Sequence, residues 1–183
     1  GIYGYHRKVN GADTVFPFKS DNSFLDFKSL NYYKTSNDTI PLETDEGILL
    51  KINDTLVKWS YIVCVVSKVI DLTNINKINV TLKELQTQNT CTFYVGISNT
   101  LRLGSDDSGF AVYHTNKVKL FPDSITSELK TYKNIKLSAD VSSYSGNYYV
   151  YIGLSSITPT NPNSYDNGTF GYGKALISDI SFK

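Results

Sequence analysis

The feature that most constrains this chain is how often apolar and polar residues alternate one by one. In KINVTL, Ile78, Val80 and Leu82 fall on one side, and Asn79 and Thr81 on the other. Successive side chains of an extended strand point to opposite faces, so this pattern predicts a strand with one buried face. GILLKIN does the same with Ile48, Leu50 and Ile52, and CTFYVGIS with Cys91, Phe93, Val95 and Ile97. NYYVYIGL places Tyr148, Val150, Ile152 and Leu154 on one side and Tyr149 and Tyr151 on the other. TVFPF, SFLDF, GFAVYH, KVKLF and NIKLSADV are further strand candidates. Polar clusters such as NGAD, SND, GSDDSG and TPTNPNSYDNG separate them as turns. Only PDSITSELK reads as helix, starting at Pro122 to Ser124 and lasting about two turns. Many short strands with almost no helix predict an antiparallel β-sandwich or barrel.

LVKWSYIVCVVSKVI breaks the alternation. Trp59, Tyr61, Val63 and Val65 share one face, and Ile62, Cys64 and Val66 the other. Both faces are apolar, so this strand should be central and covered on both sides, by a loop or by another subunit. The final LISDISFK reads as a strand with Leu176, Ile180 and Phe182 on one side, and Ile177, Asp179 and Ser181 on the other.

The same region imitates a phosphate-binding loop. Gly168, Gly173 and Lys174 match G-x-x-x-x-G-K, but Ala175 has no hydroxyl for a metal, and a strand rather than a helix follows. The reading that survives is a glycine-aromatic turn leading into a strand.

A distant echo links two segments. Asp71-Leu72-Thr73-Asn74-Ile75 aligns with Asp140-Val141-Ser142-Ser143-Tyr144. Each predicts a tight turn in which carboxylate and hydroxyl bond local N–H groups, while Leu72 with Ile75, and Val141 with Tyr144, plug the end of a core.

The 183 residues suffice for one domain with a real core. Residues 1–44 read as an N-terminal arm or first strands, linker-like in composition, and 45–183 as the sandwich. A net charge of +1 gives no surplus for a phosphate backbone, which argues against nucleic acid. No apolar run approaches a membrane span. The chain has no methionine, as expected of a processed product or part of something larger. Its two cysteines, Cys64 and Cys91, sit in strand-like apolar runs and read as buried thiols, although a bridge between adjacent strands stays open.

Catalytic patterns are absent. The two histidines, His6 and His114, lie far apart, and neither H-E-x-x-H nor G-x-S-x-G occurs. The loop carboxylates Asp106, Asp107, Asp123, Glu128 and Asp166 could pair as in a glycosidase, but no feature pairs them. Binding fits the composition better: 14 tyrosines and one tryptophan supply flat rings for the C–H faces of sugars. The connection TPTNPNSYDNGTFGYG collects Asn161, Asn163, Tyr165, Asp166, Asn167 and Tyr172, stiffened by Pro159 and Pro162. The outward pair Tyr149 and Tyr151 forms a candidate stacking platform, or a cover for the sheet.

IDLTNINKINVTL, TFYVGIS, DVSSYSGNYYVYIGL and ALISDISFK together resemble the jelly-roll β-sandwiches of carbohydrate-binding modules attached to phage tail and bacterial surface proteins. The opening GIYGYHRKVNGADTVF resembles the start of some phage tail proteins. The resemblance implies a non-catalytic domain that recognises a cell-surface polysaccharide, on a virion or at a bacterial surface. It also implies a structural calcium held partly by Asp179. The alternatives are a structural tail component that self-associates, as a trimer if fibre-like, and a glycan hydrolase.

Overall fold

The computed structural model describes residues 5–8, 31–34, 39–53, 61–67, 69–89, 91–100, 116–124, 126–156 and 172–183. They form twelve strands: β1 (Tyr5–Lys8), β2 (Asn31–Lys34), β3 (Thr39–Thr44), β4 (Gly47–Asn53), β5 (Tyr61–Val66), β6 (Ile70–Asp71), β7 (Lys77–Gln88), β8 (Cys91–Ser98), β9 (Asn116–Phe121), β10 (Lys130–Asp140), β11 (Asn147–Ser156) and β12 (Tyr172–Phe182). All pairings are antiparallel.

Two sheets result. The smaller runs β10-β7-β12-β4-β3; the larger runs β1-β2-β5-β11-β8-β9, with β6 pairing β11. Eight of these strands, β4, β5 and β7 to β12, carry the topology. In the smaller sheet the first, eighth, third and sixth of them are neighbours; in the larger, the second, seventh, fourth and fifth. That interleaving of early and late strands is a jelly roll, the fold the sequence led us to expect. β3 widens the smaller sheet beside β4, and β2 with β1 widens the larger beyond β5.

The inner faces meet in one core. Ile48, Leu50 and Ile52 of β4 face Val63 and Val65 of β5, with Val80, Leu82, Phe93, Val95, Ile97, Ile152 and Leu154 between the sheets, all fully buried. Burial of one such side chain contributes about 1.5–3 kcal/mol. The alternation in β4, β7, β8 and β11 is therefore the core pattern itself.

The paired turns form as expected, and they interlock. Asp71 Oδ1 accepts from Thr73 N at 3.0 Å and from Thr73 Oγ1 at 2.6 Å. Asp140 Oδ1 accepts from Ser142 N at 2.9 Å and from Ser142 Oγ at 2.6 Å. Leu72 and Val141 are fully buried at one end of the core, with Ile75 and Tyr144 packed beside them. Leu72 N donates to Gly146 O and Gly146 N to Thr73 Oγ1, so each turn holds the other.

Two expectations need correction. The segment after Pro122 contains no helix among its described residues; it runs as bends to Lys130, where β10 starts. Its backbone is engaged by the end of β7 instead: Asn89 N donates to Thr126 O, and Gln88 Nε2 to Ser127 O. Those contacts replace the bonds a two-turn helix would have to make for itself. The last strand also departs from simple alternation. Ile177 and Ile180 are both fully buried while Leu176 is half-buried, because the pairing of β12 with β7 shifts register between Leu176 and Asp179. A bulge adds one residue and resets which face is inward. Gly47, at φ 135°, packs against this spot, where a Cβ would collide with the Ile177 carbonyl. Only glycine tolerates both that φ and that approach.

Candidate functional site

The sandwich presents two outer faces, both bearing tyrosines. On the larger sheet, the residues opposite the core are Cys64 and Val66 on β5, Tyr94 and Gly96 on β8, and Tyr149, Tyr151, Gly153 and Ser155 on β11. Tyr151 stands opposite Gly96, and Tyr94 opposite Gly153. Each ring thus has a glycine as its cross-strand neighbour, which leaves room for it to lie along the sheet. Cys64, Val66, Tyr94 and Tyr151 are all fully buried within this single chain. The face needs no second subunit to cover it. Tyr151 donates its hydroxyl to Thr100 O at 3.3 Å. Lys117 Nζ lies 5.5 Å from the Tyr94 ring centroid, and burial lowers the pKa of its ammonium.

Tyr151 is therefore a cover for the sheet and not the stacking platform that was the other expectation for it. Tyr151 points outward from the core as predicted, but it is closed off and cannot offer a ring to solvent. Tyr149 is half-buried and pairs with Ser98, where β8 ends.

The outer face of the smaller sheet is polar and open. Its residues come from β4, β7, β10 and β12, in the phase opposite Leu50, Leu85, Tyr132 and Ala175. One cross-strand row reads Thr131, Gln86, Lys174, Lys51. Tyr172 sits beside this row, opposite Gln88 and Asn53. Tyr172 Oη donates to Gln86 Oε1 at 3.0 Å, and Gln86 Nε2 donates to Thr131 Oγ1 at 3.2 Å. These bonds fix both the amide and the phenol. Lys51 Nζ stands 5.9 Å from the Tyr172 ring centroid. Glu84 is gripped from two sides, by Lys174 at 3.0 Å and Lys133 at 3.2 Å. The bond from Lys174, with Lys133 adding to it, holds the Glu84 carboxyl below its ordinary pKa despite partial burial. The result is a half-buried ring flanked by a fixed amide and ammonium groups.

The predicted site residues do not form one group. Tyr172 lies where β7 ends and Tyr149 where β8 ends, at opposite ends of the sandwich and on different sheets. Asn161, Asn163, Tyr165, Asp166 and Asn167, like Trp59 and the GSDDSG turn, lie outside the described residues. Asp179 is exposed at the β12 bulge. Among the described residues, no three His, Cys, Asp or Glu side chains gather as a metal site. Cys64 and Cys91 are both buried and unbridged. Burial pushes the Cys91 thiol far up, away from the thiolate a nucleophile needs. Sequence reasoning missed Gln86, Lys51 and Lys174. Their one signal was the polar phase of GILLKIN, TLKELQTQ and GKAL, which alternation assigns to a solvent face.

No protein-family model matches this chain, and no curated protein matches it significantly. Solved structures do resemble it. A variant family 29 carbohydrate-binding module complexed with cellulohexaose is 9% identical, with a TM-score of 0.39, over 100% of this chain and 93% of that one. A CBM4 structure is 7% identical, with a TM-score of 0.31, over 98% and 86%. The cleaved adhesin domain of Lys-gingipain from Porphyromonas gingivalis W83 is 11% identical, with a TM-score of 0.32, over 98% and 89%. Similarity at this level carries no weight for a site. The fold rests on this chain's own strand order, and that order makes it an all-β jelly-roll sandwich.

Proposed function

We propose that this chain is a non-catalytic glycan-binding module, and that its site is the Tyr172 region of the smaller sheet. One observation supports this above the others: the Tyr172 ring is half-buried on an open sheet face and locked through Gln86 to Thr131. A sugar offers an apolar C–H face to such a ring and hydroxyls to the groups around it. Among the described residues, Gln86 Nε2 has one bonded acceptor, Thr131, so its second N–H is available to a ligand hydroxyl. A pre-fixed ring and amide lower the ordering cost of binding. The connection carrying Asn161, Asn163, Tyr165, Asp166 and Asn167 enters β12 at Tyr172, and in this reading it supplies further polar contacts. The parent assembly is a phage tail or bacterial surface protein, a reading that comes from the sequence resemblance alone.

A glycan array that includes bacterial cell-wall and capsular polysaccharides, run with and without calcium, tests the reading. Selective binding by the native chain, lost in folded Tyr172→Ala, is the expected result. Binding that survives Tyr172→Ala unchanged removes this site, and a blank array removes the function.

A further inference from the structure

The smaller sheet's outer face is unevenly charged. In the row beside Tyr172 stand two ammonium groups, Lys51 and Lys174, and the described carboxylate next along this face, Glu84 opposite Leu176, bonds both Lys174 and Lys133. Lys174 and Lys133 are committed to Glu84. Lys51 is not: no described carboxylate pairs with it, and its recorded contact is the Tyr172 ring at 5.9 Å. Toward the other end of the same face the charges cancel. Lys83 pairs with Glu46 at 3.7 Å, Lys77 acts on Asp140, and exposed Lys136 and Asp179 both stand opposite Thr81. Among the described residues, the excess positive charge on this face is therefore local to the end that carries the aromatic ring, not a property of a chain whose net charge is only +1.

We infer that the Tyr172 site takes an acidic saccharide, a glycan whose ring carries a carboxylate as in uronic acids, with Lys51 as the group that meets the charge. The inference rests on the glycan-binding reading above and narrows it. Two requirements converge on that ligand class. The ring of Tyr172 asks for a flat C–H surface, which a pyranose has. The Lys51 ammonium beside it, unpaired among the described residues, asks for an anion within reach of the same sugar. A uronic acid supplies both in one residue, whereas a phosphodiester-linked polyol supplies charge without a ring face. Lysine is a flexible point charge and follows a carboxylate whose position varies along a polymer. An uncommitted charge meeting an anion also gives a stronger contact than a neutral hydrogen bond.

The test is calorimetric titration of the whole chain with oligogalacturonate, with a neutral oligosaccharide of equal length, and with a phosphodiester-linked polyol. Lys51→Gln, Lys51→Arg and Tyr172→Ala are run alongside, each first shown to unfold at the native temperature. The expected result is preference for oligogalacturonate, weakened by added salt. Lys51→Gln should lose about tenfold in affinity for it, and Lys51→Arg should recover most of that loss. Equal affinity for the acidic and neutral sugars, unmoved by Lys51→Gln, overturns the inference and leaves the glycan reading standing. Preference for the polyol phosphate overturns the assignment to a carboxylated ring. Binding of none of the three, together with a blank glycan array, overturns the glycan reading with it.

Discussion

The two outer faces of this sandwich are made by the same rule and end in opposite states. Both consist of the residues that alternate with the core, and both carry tyrosines. On the larger sheet, Tyr94 and Tyr151 are sealed together with Cys64 and Val66. On the smaller sheet, Tyr172 stands among lysines, a glutamine and a glutamate and stays half open. Strand periodicity says which way a side chain points, and the company it keeps says whether water reaches it. Cys64, Val66 and Gly153 beside a tyrosine mark a ring that packs; Gln86, Lys174 and Lys51 beside one mark a ring that can bind.

This contrast is open to attack by mutation. The largest effect expected is at Tyr151. Tyr151→Ala empties a fully buried site and should cost about 3–5 kcal/mol in urea unfolding. The matching Tyr172→Ala should cost less than about 1 kcal/mol while removing glycan binding. Similar losses at both positions would erase the distinction between the faces.

Next in size is Gly153→Ala. A Cβ there would run into the Val63 carbonyl and the Cys64 backbone, so we expect a loss of about 1–3 kcal/mol and a lower thermal midpoint. An unchanged midpoint would mean that β5 and β11 are not packed as closely as described.

Ser155 sharpens the same point from the other side. Its Oγ is buried without a hydrogen-bond partner among the described residues. Such a group costs about 1–3 kcal/mol relative to a satisfied one. Ser155→Ala should therefore be neutral or raise the unfolding midpoint. A clear destabilisation would show that the hydroxyl has a partner and that this face is more than packing.

The smallest effect concerns acid. Asp71 and Asp140 are exposed, and their pKa values are lowered from 3.8, chiefly by the hydroxyls of Thr73 and Ser142. A lowered folded-state pKa means that stability is present above 3.8 and fades as pH falls below it. The thermal midpoint should therefore drop slightly more steeply below that pH in the native chain than in Asp71→Asn/Asp140→Asn. Parallel curves would show that the two carboxylates do not hold the turns.

Much of the architecture was legible in the sequence, because it rests on local signals. The strands β4, β8 and β11 follow from strict alternation. The twin turns follow from Asp and Ser/Thr spaced to bond each other. What stayed hidden depends on distant partners. The bulge in β12 leaves no local mark: ISDIS reads as plain alternation until β7 sets the register across Ile177 and Asp179. Tyr151 looked like a platform because its own strand cannot say what lies above it. The Tyr172 site draws Lys51, Gln86 and Thr131 from three strands remote in sequence, and only cross-strand register brings them together. The stretch after Pro122 carried good helix formers but lost its helix to contacts with Gln88 and Asn89.

The most direct test of the account is an NMR titration of the native chain with a glycan that binds it, following backbone amides on both sheets. We predict that shifts concentrate at Lys51, Gln86, Tyr172 and Lys174, with Tyr94, Tyr151 and Gly153 unmoved. Shifts centred on Tyr94 and Tyr151 would contradict the account and move the binding face to the larger sheet.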